Sequence, residues 1–192
     1  MKQSSLRGRL YTGALLLLCL GLLTASSIHE HSSPNERPWQ VNKYIKQYRY
    51  LSVELNQKTN IPIPVILAIA GLESNWGKSE LALQANNHFG IKANNWWGST
   101  YCKNSAEYWG SELSTSFECF RKYPLIRESY QDFGRFILSR TAYSWLLAPP
   151  VSDYRLWAQT LEDSSYATDP YYAEKLIRVI EEYRLYEVTG QN

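Results

Sequence analysis

The sequence predicts a mostly helical α+β domain carrying one strand-bearing insertion, and three observations predict it. Apolar residues recur at helical spacing over residues 44–55 and 176–180, the run Val65–Leu72 is apolar nearly all round, and residues 93–122 break this period. Taken in order, Tyr44, Ile45, Tyr48, Leu51 and Leu55 fall on one face of a first helix beginning near Trp39, with Lys43, Lys46, Gln47 and Arg49 elsewhere. The string "IPIP" ends it and opens a second helix, from about Pro64 to Asn75, because proline is tolerated in a first turn. Its all-round apolarity sends that helix through the core. Gly77 is the expected breaker, Ser79 caps a short helix "ELALQA", and "NNHFG" reads as a turn.

Residues 93–122 mix Gly, Ser, Asn and Thr with aromatics at irregular or alternating positions, which predicts a small irregular β-lobe with a hairpin or two. Helix then returns: Pro124 opens "LIRESYQDFGRFILSR", Ser152 caps "DYRLWAQTLED", and Asp169 followed by Pro170 begins "YYAEKLIRVIEEYRLYEV". Leu176, Ile177, Val179 and Ile180 form the buried stripe of that last helix.

The 192 residues suit one core, and 44% apolar with 20% charged content excludes a disordered chain. Lys2, Arg7 and Arg9 precede the apolar run Ala14–Leu23 and the small residues "TASS", so residues 1–27 read as an export signal or an uncleaved inner-membrane anchor. Residues 28–38 are polar and proline-bearing and read as a flexible leader, with the domain over 39–192. Without the three basic residues of the signal, 17 Lys and Arg stand against 18 Asp and Glu, so the formal charge falls from +2 to −1. A domain so nearly neutral lacks the basic face that nucleic acid requires. Export, to a periplasmic or extracellular site, puts Cys102 and Cys119 where disulfides persist, and the two are expected to pair.

Among residues that could do chemistry, Glu73 stands out: Ile66, Ile69 and Trp76 lie at minus seven, minus four and plus three along its helical face. Apolar surroundings disfavour the charged carboxylate and so favour a proton donor near neutral pH. A surface glutamate paired with Lys78 would show the same spacing. Cutting a glycosidic bond normally takes a second carboxylate, and the lobe offers Glu107, Glu112 and Glu118. Glu107 lies among Trp96, Trp97, Tyr108 and Trp109, whose flat rings suit sugar faces or, equally, a mini-core of the lobe. The sequence shows no His/Cys cluster at metal-ligand spacing, no phosphate-cradling glycine loop and no nucleophile elbow, so no metal or cofactor is expected.

The strings "LESNWGKSELALQANNHFGIK", "NWWGS", "ECFRKYP" with "ESYQDFGRFI", and "YATDPYYAEKL" together resemble the bacterial glucosaminidase domain family, endo-β-N-acetylglucosaminidases that hydrolyse peptidoglycan. The resemblance implies a lysozyme-like helical fold whose β-lobe walls a cleft, with Glu73 as general acid and Tyr166 at the reacting sugar. It also implies a second carboxylate nine residues after the glycine of the "WxG" motif; counting from Gly98 reaches Glu107, with Glu112 and Glu118 as the alternatives. Trp76, Asn87, Phe89, Trp96, Trp97 and Tyr108 are the expected sugar contacts. The chain is thus expected to be a monomeric, exported hydrolase of peptidoglycan glycan strands, the rival readings being a lytic transglycosylase and a catalytically silent wall-binding module.

Overall fold

The computed structural model describes residues 36–109, 112–147 and 150–188, of which 106–109 and 112–113 are described by their backbone alone. The expected export segment therefore lies outside the described residues, as does the leader before Glu36. Arg37 already belongs to the fold, donating to the carbonyls of Tyr183 and Arg184, the latter at 2.9 Å. No described helix is long and apolar enough to cross a membrane.

Among the described residues, seven α-helices and one hairpin make the domain: α1 (Trp39–Thr59), α2 (Ile63–Ser74), α3 (Glu80–Ala85), β1 (Thr100–Trp109), β2 (Glu112–Arg121), α4 (Ile126–Leu138), α5 (Ser144–Leu147), α6 (Tyr154–Asp163) and α7 (Tyr172–Glu182). The all-round apolar helix is the axis, since Val65 through Ala70 are wholly buried and α1, α6 and α7 pack about it, with α4 on α1. Burying a large aliphatic side chain contributes about 1.5–3 kcal/mol, so α2 is held by its surroundings rather than by helix propensity.

Helix ends depart from expectation in instructive ways. α2 stops not at Gly77 alone but through three successive left-handed residues, Asn75 (φ 48°), Trp76 (φ 52°) and Gly77 (φ 79°). Gly77 is there for space as well, since a Cβ on it would come within 3.2 Å of the Tyr44 ring. The cap of α6 is Asp153 rather than Ser152: its Oδ1 accepts from the amides of Arg155 (2.9 Å) and Leu156 (3.4 Å). α7 ends at Glu182, and a 3-10 turn, Leu185–Glu187, follows the left-handed Arg184.

The lobe is more regular than the sequence suggested. Its two ten-residue strands pair antiparallel from Thr100 opposite Arg121 to Trp109 opposite Glu112, an arm of about 33 Å at the usual rise. Cys102 and Cys119 face each other in this register and form the expected disulfide, with Cα atoms 4.0 Å apart. A bridge closing a loop of this length constrains the unfolded chain by about 3 kcal/mol in the entropy model. The arm is fixed at its base, where Phe120 packs on Leu81 and Ala85 and the Arg121 amide donates to the Ile91 carbonyl (3.0 Å).

Candidate active site

Glu73 is the penultimate residue of α2, on the stripe of the wholly buried Ile66 and Ile69 but itself half-buried at the helix end. Core packing thus fixes the backbone while the left-handed break frees the rim for a side chain. Among the described residues, Tyr172 and the Gly90 turn approach the carboxyl group. Tyr172, at the start of α7, donates from Oη to Glu73 Oε1 at 3.0 Å. From the other side comes the turn at Gly90, where a Cβ would stand 3.2 Å from Glu73 Oε2 and where φ is +64°. Glycine answers both constraints, the left-handed backbone and the close approach.

The turn is held from within by Asn87. Its Oδ1 accepts from the amides of Phe89 (3.3 Å) and Ile91 (3.2 Å), and its Nδ2 donates to the carbonyls of Ile91 (3.0 Å) and Arg121 (2.9 Å). The amide thereby ties the Gly90 turn to the end of β2. Phe89 stacks on Phe133 at 4.3 Å, and its carbonyl accepts from Tyr166 Oη at 3.2 Å. The Tyr166 and Tyr172 rings lie 5.6 Å apart. Burial, and then the charge of Glu73, push both phenols well above their ordinary range, so they stay protonated donors throughout the pH range of a folded protein.

A family model describing mannosyl-glycoprotein endo-β-N-acetylglucosaminidases matches residues 50–185, a span that includes Glu73, the Gly90 turn, Tyr166 and Tyr172. The chain belongs to the glucosaminidase family. It is 36% identical over 72% of its length to the exo-glucosaminidase LytG of Bacillus subtilis, and 32% identical over 66% to the peptidoglycan hydrolase FlgJ of Escherichia coli K12. It spans about half the length of these relatives, 50% of LytG and 42% of FlgJ. Among solved structures it is similar to the catalytic domain of the autolysin Auto from Listeria monocytogenes, with a TM-score of 0.65 and 30% identity, covering 80% of this chain and 90% of that one.

Within this glucosaminidase domain the expected sugar contacts separate. Asn87 is wholly buried and Phe89 is 2% exposed, so as placed neither side chain offers surface to a sugar; they shape the turn instead. Trp76 does not continue the Glu73 face. Because the helix has already reversed, its ring covers Gly71, where a Cβ would meet it at 2.6 Å, and it packs edge-on against Tyr44 and Tyr183. Gly71 lies about 200° around the helix from Glu73, on the far side. Trp96 lies under Arg121, whose guanidinium is 4.7 Å from the ring centre, and donates from Nε1 to the Ser99 carbonyl at 3.0 Å. Trp97 is completely exposed.

Of the lobe carboxylates, Glu118 accepts from Ser116 Oγ (2.9 Å) and pairs with Lys92 (3.5 Å). The backbone sets Glu107 opposite Ser114 and Tyr108 opposite Leu113; the side chains of Glu107, Tyr108 and Glu112 lie outside the described residues. Among the described residues no group of three or more His, Cys, Asp and Glu gathers as a metal site would require.

Three residues that the sequence reading did not single out matter here. Tyr172 sits six residues after Tyr166 in the string that carried the resemblance, and its partner became visible only once α7 packed on α2. Gly90 carried a turn signal but not its partner. Asp132, 3% exposed, accepts from Arg121 (2.7 Å), Tyr123 Oη (2.6 Å) and Arg135 (3.1 Å), and so pins the end of β2 to α4. Its signal was a lone acid on the apolar side of an amphipathic helix.

Proposed function

We propose that the domain hydrolyses peptidoglycan glycan strands, cutting the β-1,4 bond on the reducing side of N-acetylglucosamine from within the strand, with Glu73 as general acid. The observation that carries this reading is the setting of Glu73: a carboxyl at the rim of the core helix, oriented by a phenol and approached on its other side by a glycine turn. As the acid gives its proton to the glycosidic oxygen, negative charge develops on the carboxyl group, and the Tyr172 hydrogen bond strengthens in step. Tyr166 stands beside Tyr172 and takes the part of positioning the reacting sugar.

The second group is Glu107, which activates water or stabilises the positive anomeric carbon, with Glu112 and Glu118 as the alternatives. The substrate's own N-acetyl oxygen can take the same part. Trp96, Trp97 and Tyr108 are the proposed sugar platforms. The name of FlgJ, a peptidoglycan hydrolase, supports a wall glycan as substrate, and that of LytG, an exo-glucosaminidase, supports a bond beside a glucosamine unit. The signal-like residues 1–27 and the disulfide support export, with the domain working as a monomer.

Mass analysis of purified peptidoglycan after digestion tests the reading. Fragments of several disaccharides with a new reducing N-acetylglucosamine are expected. Disaccharides alone would mean an exo-acting enzyme, anhydro-muramic ends a lytic transglycosylase, and no cleavage a binding module.

A further inference from the structure

The outer face of α1 carries a feature that catalysis leaves unused. Trp39, Lys43, Lys46 and Tyr50 recur at i, i+4, i+7 and i+11, one line along the helix, and all four are exposed, Trp39 by 68% and Tyr50 by 56%. The ammonium groups of Lys43 and Lys78 stand 5.6 and 5.3 Å from the Trp39 ring centre. Lys78 also donates to Gln40 Oε1 (2.6 Å), whose Nε2 bonds the Asn75 carbonyl (3.1 Å), so the patch is fastened to the end of α2 that bears Glu73. No acid occurs on α1 before Glu54, which is engaged by Lys58 and Arg127; Glu36 precedes the helix.

Three lysines interleaved with two exposed aromatic rings, on a domain whose formal charge is close to zero, form a local excess of one sign. Neutral sugar rings do not call for it. An anionic bilayer surface does: Trp and Tyr rings settle at the headgroup level, and each nearby lysine strengthens attachment about fivefold. Chain length agrees. Residues 24–38 join the apolar run Ala14–Leu23 to Trp39, and fully extended they reach about 50 Å at most. With that run serving as an anchor, the stripe stays within this distance of a membrane.

We propose that the Trp39–Tyr50 face of α1 docks on the surface of an anionic phospholipid bilayer, α1 lying along the interface. The proposal is independent of the reaction assigned to the cleft. The test is co-sedimentation of the full chain with phosphatidylcholine vesicles, with and without phosphatidylglycerol, for the wild type, Lys43→Gln/Lys46→Gln and Trp39→Ala. The wild type is expected to prefer the anionic vesicles. The double lysine variant is expected to lose about 25-fold of that preference, from about fivefold per lysine, and brominated lipid is expected to quench the wild type more than Trp39→Ala. Binding by the apolar run alone would be indifferent to headgroup charge and to the lysines, and that result would overturn the proposal. So would absence of vesicle binding, or a lysine-dependent affinity for soluble polyphosphate with none for vesicles.

Discussion

Replacing Tyr172 by phenylalanine removes one oxygen atom and little else. The side chain is 3% exposed and its ring neighbour Tyr166 remains, so the packing survives; the hydrogen bond to Glu73 Oε1 at 3.0 Å does not. A bond to a neutral carboxyl contributes about 0.5–1.5 kcal/mol and one to a charged carboxylate about 1.5–3 kcal/mol. With Glu73 as the proposed acid, only the difference, about 1–2 kcal/mol, acts on the barrier, because an acid is neutral before the proton moves and acquires charge as it leaves. The expected result is a fall of about 5–30-fold in kcat with KM nearly unchanged. Release of soluble fragments from purified peptidoglycan, measured across substrate concentration, reads both parameters. An unchanged kcat alongside a lowered melting temperature would contradict a part for Tyr172 in the reaction and leave it a packing residue.

Gly90→Ala forces a Cβ into a left-handed site 3.2 Å from Glu73 Oε2. It should cost about 1–2 kcal/mol of stability in a urea melt and lower kcat by about 10–100-fold through the displaced carboxyl; full activity would count against the close approach. His88, 1% exposed, is held neutral by burial with its pKa pushed down to about 4 from 6.5, while Tyr44 Oη lies 2.7 Å from Nδ1. The unfolded chain takes up this proton as pH falls through 6.5 and the folded chain only near 4. The stability is therefore fully present above about 6.5 and lost progressively between the two values, by about 3 kcal/mol in all. Urea melts at about pH 7 and about pH 4.5 should show that slope, and His88→Asn, less stable at neutral pH, should show a shallower one.

Helices whose apolar period is strong were legible in the sequence. α1 begins at Trp39, and α3 occupies "ELALQA" behind its Ser79 cap, whose Oγ accepts from the Ala82 amide. The sequence places α2 within a residue at each end, because prolines open it and its core-like composition stops at Asn75. The hairpin was blurred because the packing seen among the described residues lies at its base, where Phe120 and Tyr101 reach the small cluster beside α3, and so few positions set an apolar alternation. The 3-10 turn Thr141–Tyr143 and α5, too short for a period, give no signal.

The site divided along the same line. Glu73 could be read from its own helix, because Ile66 and Ile69 share its face. Trp76 leaves the face of Glu73 because the helical period ends where the chain turns left-handed at Asn75. Tyr172, Gly90 and Asp132 act across elements, α7 onto α2, the turn onto α2 and β2 onto α4, and no local pattern encodes such pairs.

One carboxyl, at position 73, is proposed to supply the proton. Glu73→Gln preserves the side chain's size and its place beside Tyr172 while removing the acid. Digestion of purified walls is expected to fall at least about 10³-fold while the melting temperature and retention on insoluble walls stay at wild-type values. A Glu73→Gln protein that digests walls within tenfold of the wild-type rate would contradict it.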